Sequence, residues 1–156
     1  QRQMCIRDSD NPLWYGIFFI IIPIWSSAHF YIIHRLLHYT FLYKTVHNLH
    51  HRNISPGPWS GISMHPIEHI LYFSTVVIHF IVPSSPIHVL FHFYQQGLNP
   101  AFSHSGFDSI VIKDKKRLKA GDFFHQLHHR YFNCNYGTIE MPWDRIFGTF
   151  NTGTKK

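Results

Sequence analysis

Leu13-Trp-Tyr-Gly-Ile-Phe-Phe-Ile-Ile-Ile-Pro-Ile-Trp-Ser-Ser-Ala-His-Phe-Tyr-Ile-Ile33, followed directly by His34-Arg-Leu-Leu-His38, decides the reading of this chain. The 24 residues between Asp10 and Arg35 hold no Asp, Glu, Lys or Arg. A helix of ~20 apolar residues, rising ~1.5 Å each, crosses the ~30 Å of hydrocarbon in a bilayer. A soluble domain of this size would have to hide Ile17 to Ile22 on every face of one helix. The stretch therefore predicts a membrane helix, with Trp14 and Tyr15 at the interface and Pro23 as a kink point.

Working outward, a His-rich stretch runs from His34 to Asn53, and Ser55-Pro-Gly-Pro-Trp-Ser-Gly61 should break any helix. A second uncharged run of 39 residues separates Glu68 from Asp108, and its apolar part, about 70–98, is interrupted by Pro83-Ser-Ser-Pro86. Each half, about 13 residues or ~20 Å of helix, suits a hairpin that enters the membrane and returns, or two tilted short spans. The basic cluster Lys113-Asp-Lys-Lys-Arg-Leu-Lys119 fits lipid headgroups or an acidic electron donor better than nucleic acid, since it carries neither interleaved aromatics nor a recognition-helix pattern. The expected fold is all-α: an integral membrane helical protein with a His-rich helical cap and no significant sheet. Residues 1–10 read as a truncated or non-native leader and 11–156 as a single domain. Cys5 and Cys134 form no metal or redox motif.

Fifteen histidines outnumber the 14 Lys plus Arg, and their spacing is not random. His34 and His38 are four apart, His47, His50 and His51 repeat at three and four, and His125, His128 and His129 repeat that triplet. Imidazoles three and four apart share a helix face. On one straight helix the first pair and the first triplet would point apart, so a turn is required between Tyr39 and Val46. Eight converging imidazoles exceed the three or four protein ligands of a zinc site and match two metal ions; nitrogen donors alone leave Fe, Zn, Cu and Ni open.

These motifs, with Asn135-Tyr136-Gly137, Trp143-Asp144-Arg145 and Gly148-Thr149-Phe150, resemble the fatty acid hydroxylase/sterol desaturase superfamily from about His29 to Phe150, the tail leaning toward the sterol desaturase-like branch. The resemblance implies a membrane-bound oxidase with two non-haem iron ions, for which zinc can substitute. They would lie on the cytosolic side of a bacterial inner membrane or endoplasmic reticulum. It implies O₂, an external haem or iron–sulfur electron donor, and a sterol, fatty acyl or related lipid that is hydroxylated or desaturated. The implied ligands are His34, His38, His47, His50, His51, His125, His128 and His129, with His104 of His104-Ser-Gly106 as a ninth. No catalytic side chain beyond the ligands is implied. Pro100 stands where some members carry a further histidine, and helices that usually precede the first motif are missing, so the chain reads as a fragment.

His65, Glu68 and His69 are expected to orient ligands from behind, with packing or the lipid interface as the alternative for the two histidines; Asp122, Asn135 and Asp144 are expected to do likewise or to cap helices and turns. His29, His79, His88 and His92 are assigned to packing or the lipid interface. Two other classes compete. A metal-binding or transport membrane protein would place carboxylates within its spans, and these spans hold none; a bis-histidine haem electron carrier would leave the three motifs unexplained.

Overall fold

The computed structural model describes residues 11–107, 109–119, 123–138 and 141–153; the leader and Asp122 lie outside them. Helix α1, Pro12–Leu37, begins where the Asn11 side chain accepts from Trp14 N at 2.9 Å and Pro12 fills the first turn. Its 26 residues make it the one helix among those described that is long and apolar enough to cross a membrane. The expected turn falls at Tyr39, whose backbone is extended. Short α2 (Thr40–Leu42), a π-helical turn (Tyr43–His47) and α3 (Asn48–His51) follow. The π turn was not foreseen; such turns are rare and concentrate at functional sites.

A 3₁₀ turn at Pro58–Ile62 leads to α4 (Pro66–Phe73), which runs through a 3₁₀ stretch at Ser74–Val77 into α5 (Ile78–Ile81). After the Pro83 turn, α6 spans Pro86–Ser103. The arms of this hairpin are longer than the expected 13 residues, because the 3₁₀ stretch carries the helix on instead of ending it. Trp14 Nε1 donates to Pro83 O at 3.0 Å beside the start of α1, while Glu68 reaches His47 at the other end. The hairpin thus lies along α1 for most of its length.

Polar pairs stitch the hairpin to α1. His92 Nε2 meets Ser26 Oγ at 2.8 Å, His92 Nδ1 meets His79 Nε2 at 3.0 Å, and His79 Nδ1 meets Ser84 Oγ at 2.8 Å. His88 Nε2 donates to Tyr15 O at 2.9 Å. His88 and His92 are fully buried, so they pack between helices and do not face lipid. Outside, the same helices expose Ile20, Ile70, Phe80 and Ile81.

The structure adds one strand pair to the predicted helices: β1 (Ser109–Ile112) and β2 (Lys115–Lys119) form an antiparallel hairpin. Its turn, Lys113-Asp114, holds both residues at positive φ, 50° and 58°. Primed turns usually announce themselves as Asn-Gly or Asp-Gly; Lys-Asp gave no such signal, and the basic run masked the strands. Then come α7 (Phe123–Tyr131) and α8 (Trp143–Ile146).

Candidate metal centre

The C-terminal end of α1, the π turn with α3, the end of α6, and α7 meet in one place, and each brings histidines. His34, His38, His47, His51 and His128 offer ring nitrogens within 4.8 Å of one another; His50, His104, His125 and His129 form a second such group. All nine histidines singled out in the sequence are therefore gathered, in sets of five and four. His38 is half-buried and the other eight are buried. The i, i+4 pair His47 and His51 enters the first set while His50 turns to the second, so one short helix serves both.

Backbone carbonyls fix the ring tautomers. His34 Nδ1 lies 2.6 Å from Tyr136 O, His128 Nδ1 2.6 Å from Cys134 O, His104 Nδ1 2.8 Å from Pro100 O and His50 Nδ1 3.3 Å from Ser63 O. A carbonyl only accepts, so each Nδ1 carries the proton and each Nε2 of a neutral ring presents its lone pair inward. His50 Nε2 and His104 Nε2 then face each other at 3.2 Å as two lone pairs. No hydrogen bond joins them. His34 Nε2 and both nitrogens of His125 are buried without any partner. A cation satisfies such a set, and metal-bound histidines commonly donate their other N–H in this way.

Spacing agrees. In the first group, Nε2 of His38 lies 3.1 Å from Nε2 of His47, His51 and His128, and His51 Nε2 lies 3.0 Å from His47 and 3.1 Å from His128. Donors at right angles around an ion with such edges leave about 2.2 Å to its centre, close to the ~2.0–2.1 Å of metal–imidazole bonds. Burial, reinforced by neighbouring imidazoles, pushes His47, His51, His125 and His128 well below the ordinary range. It takes His38 and His50 to about 4 and His104 to about 3. The rings are neutral at pH 7, the form that binds metal.

Behind the rings, Glu68 Oε1 sits 2.8 Å from His47 Nδ1. Burial raises its carboxyl to about 8, so its charge is favoured only beside a cation. Asp144 accepts from Tyr136 N at 2.8 Å, Gly137 N at 2.7 Å and Thr149 Oγ1 at 2.6 Å. Asn135 Nδ2 donates to Phe124 O and Asn151 O, and its Oδ1 accepts from Asn151 N. Among the described residues neither hydrogen-bonds a clustered imidazole; together they clamp the loop whose Cys134 and Tyr136 carbonyls do. His65 and His69 are placed differently. His65 Nδ1 accepts from Ile67 N and caps α4, while His69 stacks on Phe73. The carbonyls of Ser63, Pro100, Cys134 and Tyr136 were invisible in sequence because any residue type supplies one.

A cavity of about 160 Å³ opens from this cluster between α1, α4 and α6, lined by Ile24, Phe30, Ile33 and Leu37 and ending on His34, His47, His50, His104 and His125. Cavities of ~150 Å³ admit a molecule the size of benzene, so this one has room for a small apolar group.

Residues 19–149 match the fatty acid hydroxylase family. A Delta(7)-sterol 5(6)-desaturase of Gibberella zeae is 35% identical over 139 residues, covering 87% of this chain and 42% of that protein. Methylsterol monooxygenase 1 of Gallus gallus is 32% identical over 145 residues, 90% of this chain and 49% of that one. A Delta(7)-sterol 5(6)-desaturase of Candida glabrata is 30% identical over 130 residues, 80% and 34%. The chain thus spans less than half the length of these relatives. No solved structure matches it.

Proposed function

The chain belongs to the fatty acid hydroxylase family, and from that premise we propose that it is the metal-binding part of a membrane-bound lipid oxidase. His34, His38, His47, His51 and His128 would hold one iron ion, and His50, His104, His125 and His129 a second. The observation that carries this reading is the pair of inward lone pairs on His50 and His104, 3.2 Å apart, with each Nδ1–H taken by a carbonyl. Two bound irons would supply O₂ activation and oxidation of an unactivated C–H bond.

The chain's own residues do the rest. The carbonyls of Tyr136 and Cys134 hold the His34 and His128 rings in one tautomer, and Glu68 holds His47. The apolar walls exclude water from the carbon presented to the cluster. Hydroxylation consumes the substrate, O₂, two electrons and two protons and yields an alcohol and water; desaturation yields an alkene and two waters. The electrons come from a separate haem or iron–sulfur carrier. The relatives' names point to a sterol or a lipid like it. The apolar exterior of α1 and the hairpin supports a membrane location; in this reading the membrane is an endoplasmic reticulum or bacterial inner membrane, with the cluster facing the cytosol.

Haem ligation has nothing to use in the hairpin: both ring nitrogens of His79, His88 and His92 already have hydrogen-bond partners. The test is metal analysis and optical spectroscopy of the full-length protein, then mass spectrometry of lipids from cells with and without it. Iron near two per chain, no Soret band and a new oxidised or unsaturated lipid are expected. Stoichiometric zinc with no change in lipids would overturn the reading.

A further inference from the structure

Three carboxamides interrupt the apolar sequence of α6: Gln95, Gln96 and Asn99. All three line the cavity. Gln96 is only 3% exposed, its Nε2 is buried without a partner, and so is Oε1 of Gln95. No amide group of the three makes a hydrogen bond to any described residue. Their surroundings offer little relief. Tyr72 OH is occupied in donating to Gln96 O at 3.0 Å, the carbonyl that Pro100, lacking an N–H, leaves free within the helix. Buried polar groups are normally satisfied, and an orphaned one costs stability unless a ligand or water completes it.

From this arrangement, and resting on the reading of the cavity as a lipid site, we propose that Gln95, Gln96 and Asn99 form a docking point for a neutral oxygen of the substrate, a hydroxyl or a carbonyl. A carboxamide offers both donor and acceptor, and half a turn of the group exchanges them; a hydroxyl uses both. A charged headgroup fits poorly. Among the described residues the cavity lining holds no Lys or Arg, and its one carboxylate, Glu68, is turned to His47. Asn99 and Gln96 lie five and eight residues before His104, about 7 and 12 Å along the helix. The oxygen is therefore set back from the carbon shown to the histidines by roughly that distance, and it selects which carbon arrives there.

The test is binding to the full-length purified protein, with metal content measured alongside, using probe pairs that differ by one oxygen: cholestanol against cholestane, and octadecanol against octadecane. At least one alcohol should bind about three- to tenfold more tightly than its alkane, the range of one neutral hydrogen bond. Gln96→Leu and Asn99→Leu should shrink that ratio toward one while leaving alkane affinity near wild type. Gln96→Leu should also melt at a higher temperature than wild type without ligand, because it removes an unsatisfied buried amide. An equal affinity of wild type for alcohol and alkane overturns the proposal. So does a preference that survives both substitutions, or loss of both probes from the variants. Because turnover is not read, a protein that lacks iron yet prefers the alcohol would sink the oxidase reading and leave this one standing.

Discussion

An imidazole whose Nδ1–H is taken by a carbonyl presents a lone pair at Nε2 that can accept a hydrogen bond, bind a cation or take up a proton, and burial here disfavours the proton. His38 and His50 are held at about 4 and His104 at about 3, whereas in an unfolded chain they titrate near ~6.5. Between these values the unfolded state binds more protons than the native one. Stability is thus fully present above about pH 6.5 and is lost as the pH falls through that window. Glu68, raised to about 8, acts in the opposite sense, but it is one group against several. The melting temperature of metal-stripped protein should fall steeply between pH 6.5 and 4.5; a level profile would mean that the rings are not buried neutral. His128→Ala should lose iron and turnover together, read as bound metal per chain at equal membrane level. Glu68→Ala should weaken metal binding about 10- to 100-fold, as loss of a ligand's hydrogen-bond partner commonly does. Glu68→Gln, which still accepts from His47, should lose less in the same metal-buffered titration.

Two elements must touch for the second histidine group to close, and a glycine permits it. A Cβ on Gly61 would lie 2.5 Å from Pro100 O and 2.6 Å from Pro100 Cβ. Backbone that close cannot yield without moving the 3₁₀ turn off α6. Pro100 O is also the acceptor of His104 Nδ1. Gly61→Ala should therefore destabilise by about 1–3 kcal/mol and lower metal occupancy, with Gly57→Ala, which meets nothing within 4 Å, as the control in the same melting and metal assays. None of this was legible in the sequence, where Gly61 reads only as a breaker. The helices were legible because apolar runs and i, i+3, i+4 histidines are local patterns, and the Tyr39 turn because one straight helix cannot aim His34 and His47 together. The π turn, the Lys113-Asp114 hairpin and the clamp of Asp144 on Tyr136 and Gly137 depend on backbone groups far apart in the chain. His65 takes a role that neither reading of it named: beside a carboxylate it could orient a ligand or pack, and its Nδ1 caps α4.

At the scale of the whole molecule, the described residues bury few large apolar side chains. Phe18, Ile22, Tyr31, Leu37 and Tyr72 face inward, but much of the buried interior is histidine, serine and amide, while Ile20 is 65% exposed, Ile70 71% and Phe80 77%. In water this inversion would forfeit the hydrophobic contribution that holds domains together. In a bilayer it is the expected arrangement, since lipid covers the apolar exterior and helices associate through packing and polar contacts such as those of His92 with Ser26 and His79. The arrangement predicts where a charge is intolerable. An arginine at the centre of a membrane helix costs about 2.5–3.5 kcal/mol on insertion scales, so Ile20→Arg, or Phe93→Arg near the middle of α6, in the full-length protein should shift it from the carbonate-resistant membrane fraction. Trp59→Arg supplies the contrast: Trp59 is 81% exposed, as apolar and as accessible as either, but it lies in the 3₁₀ turn beside the histidine cluster, where water or headgroups can solvate a charge. Fractionation of the three variants separates a bilayer from mere surface hydrophobicity. If all three stay in the membrane pellet, or all three leave it, the apolar belt around α1 and the hairpin is not what holds the protein there.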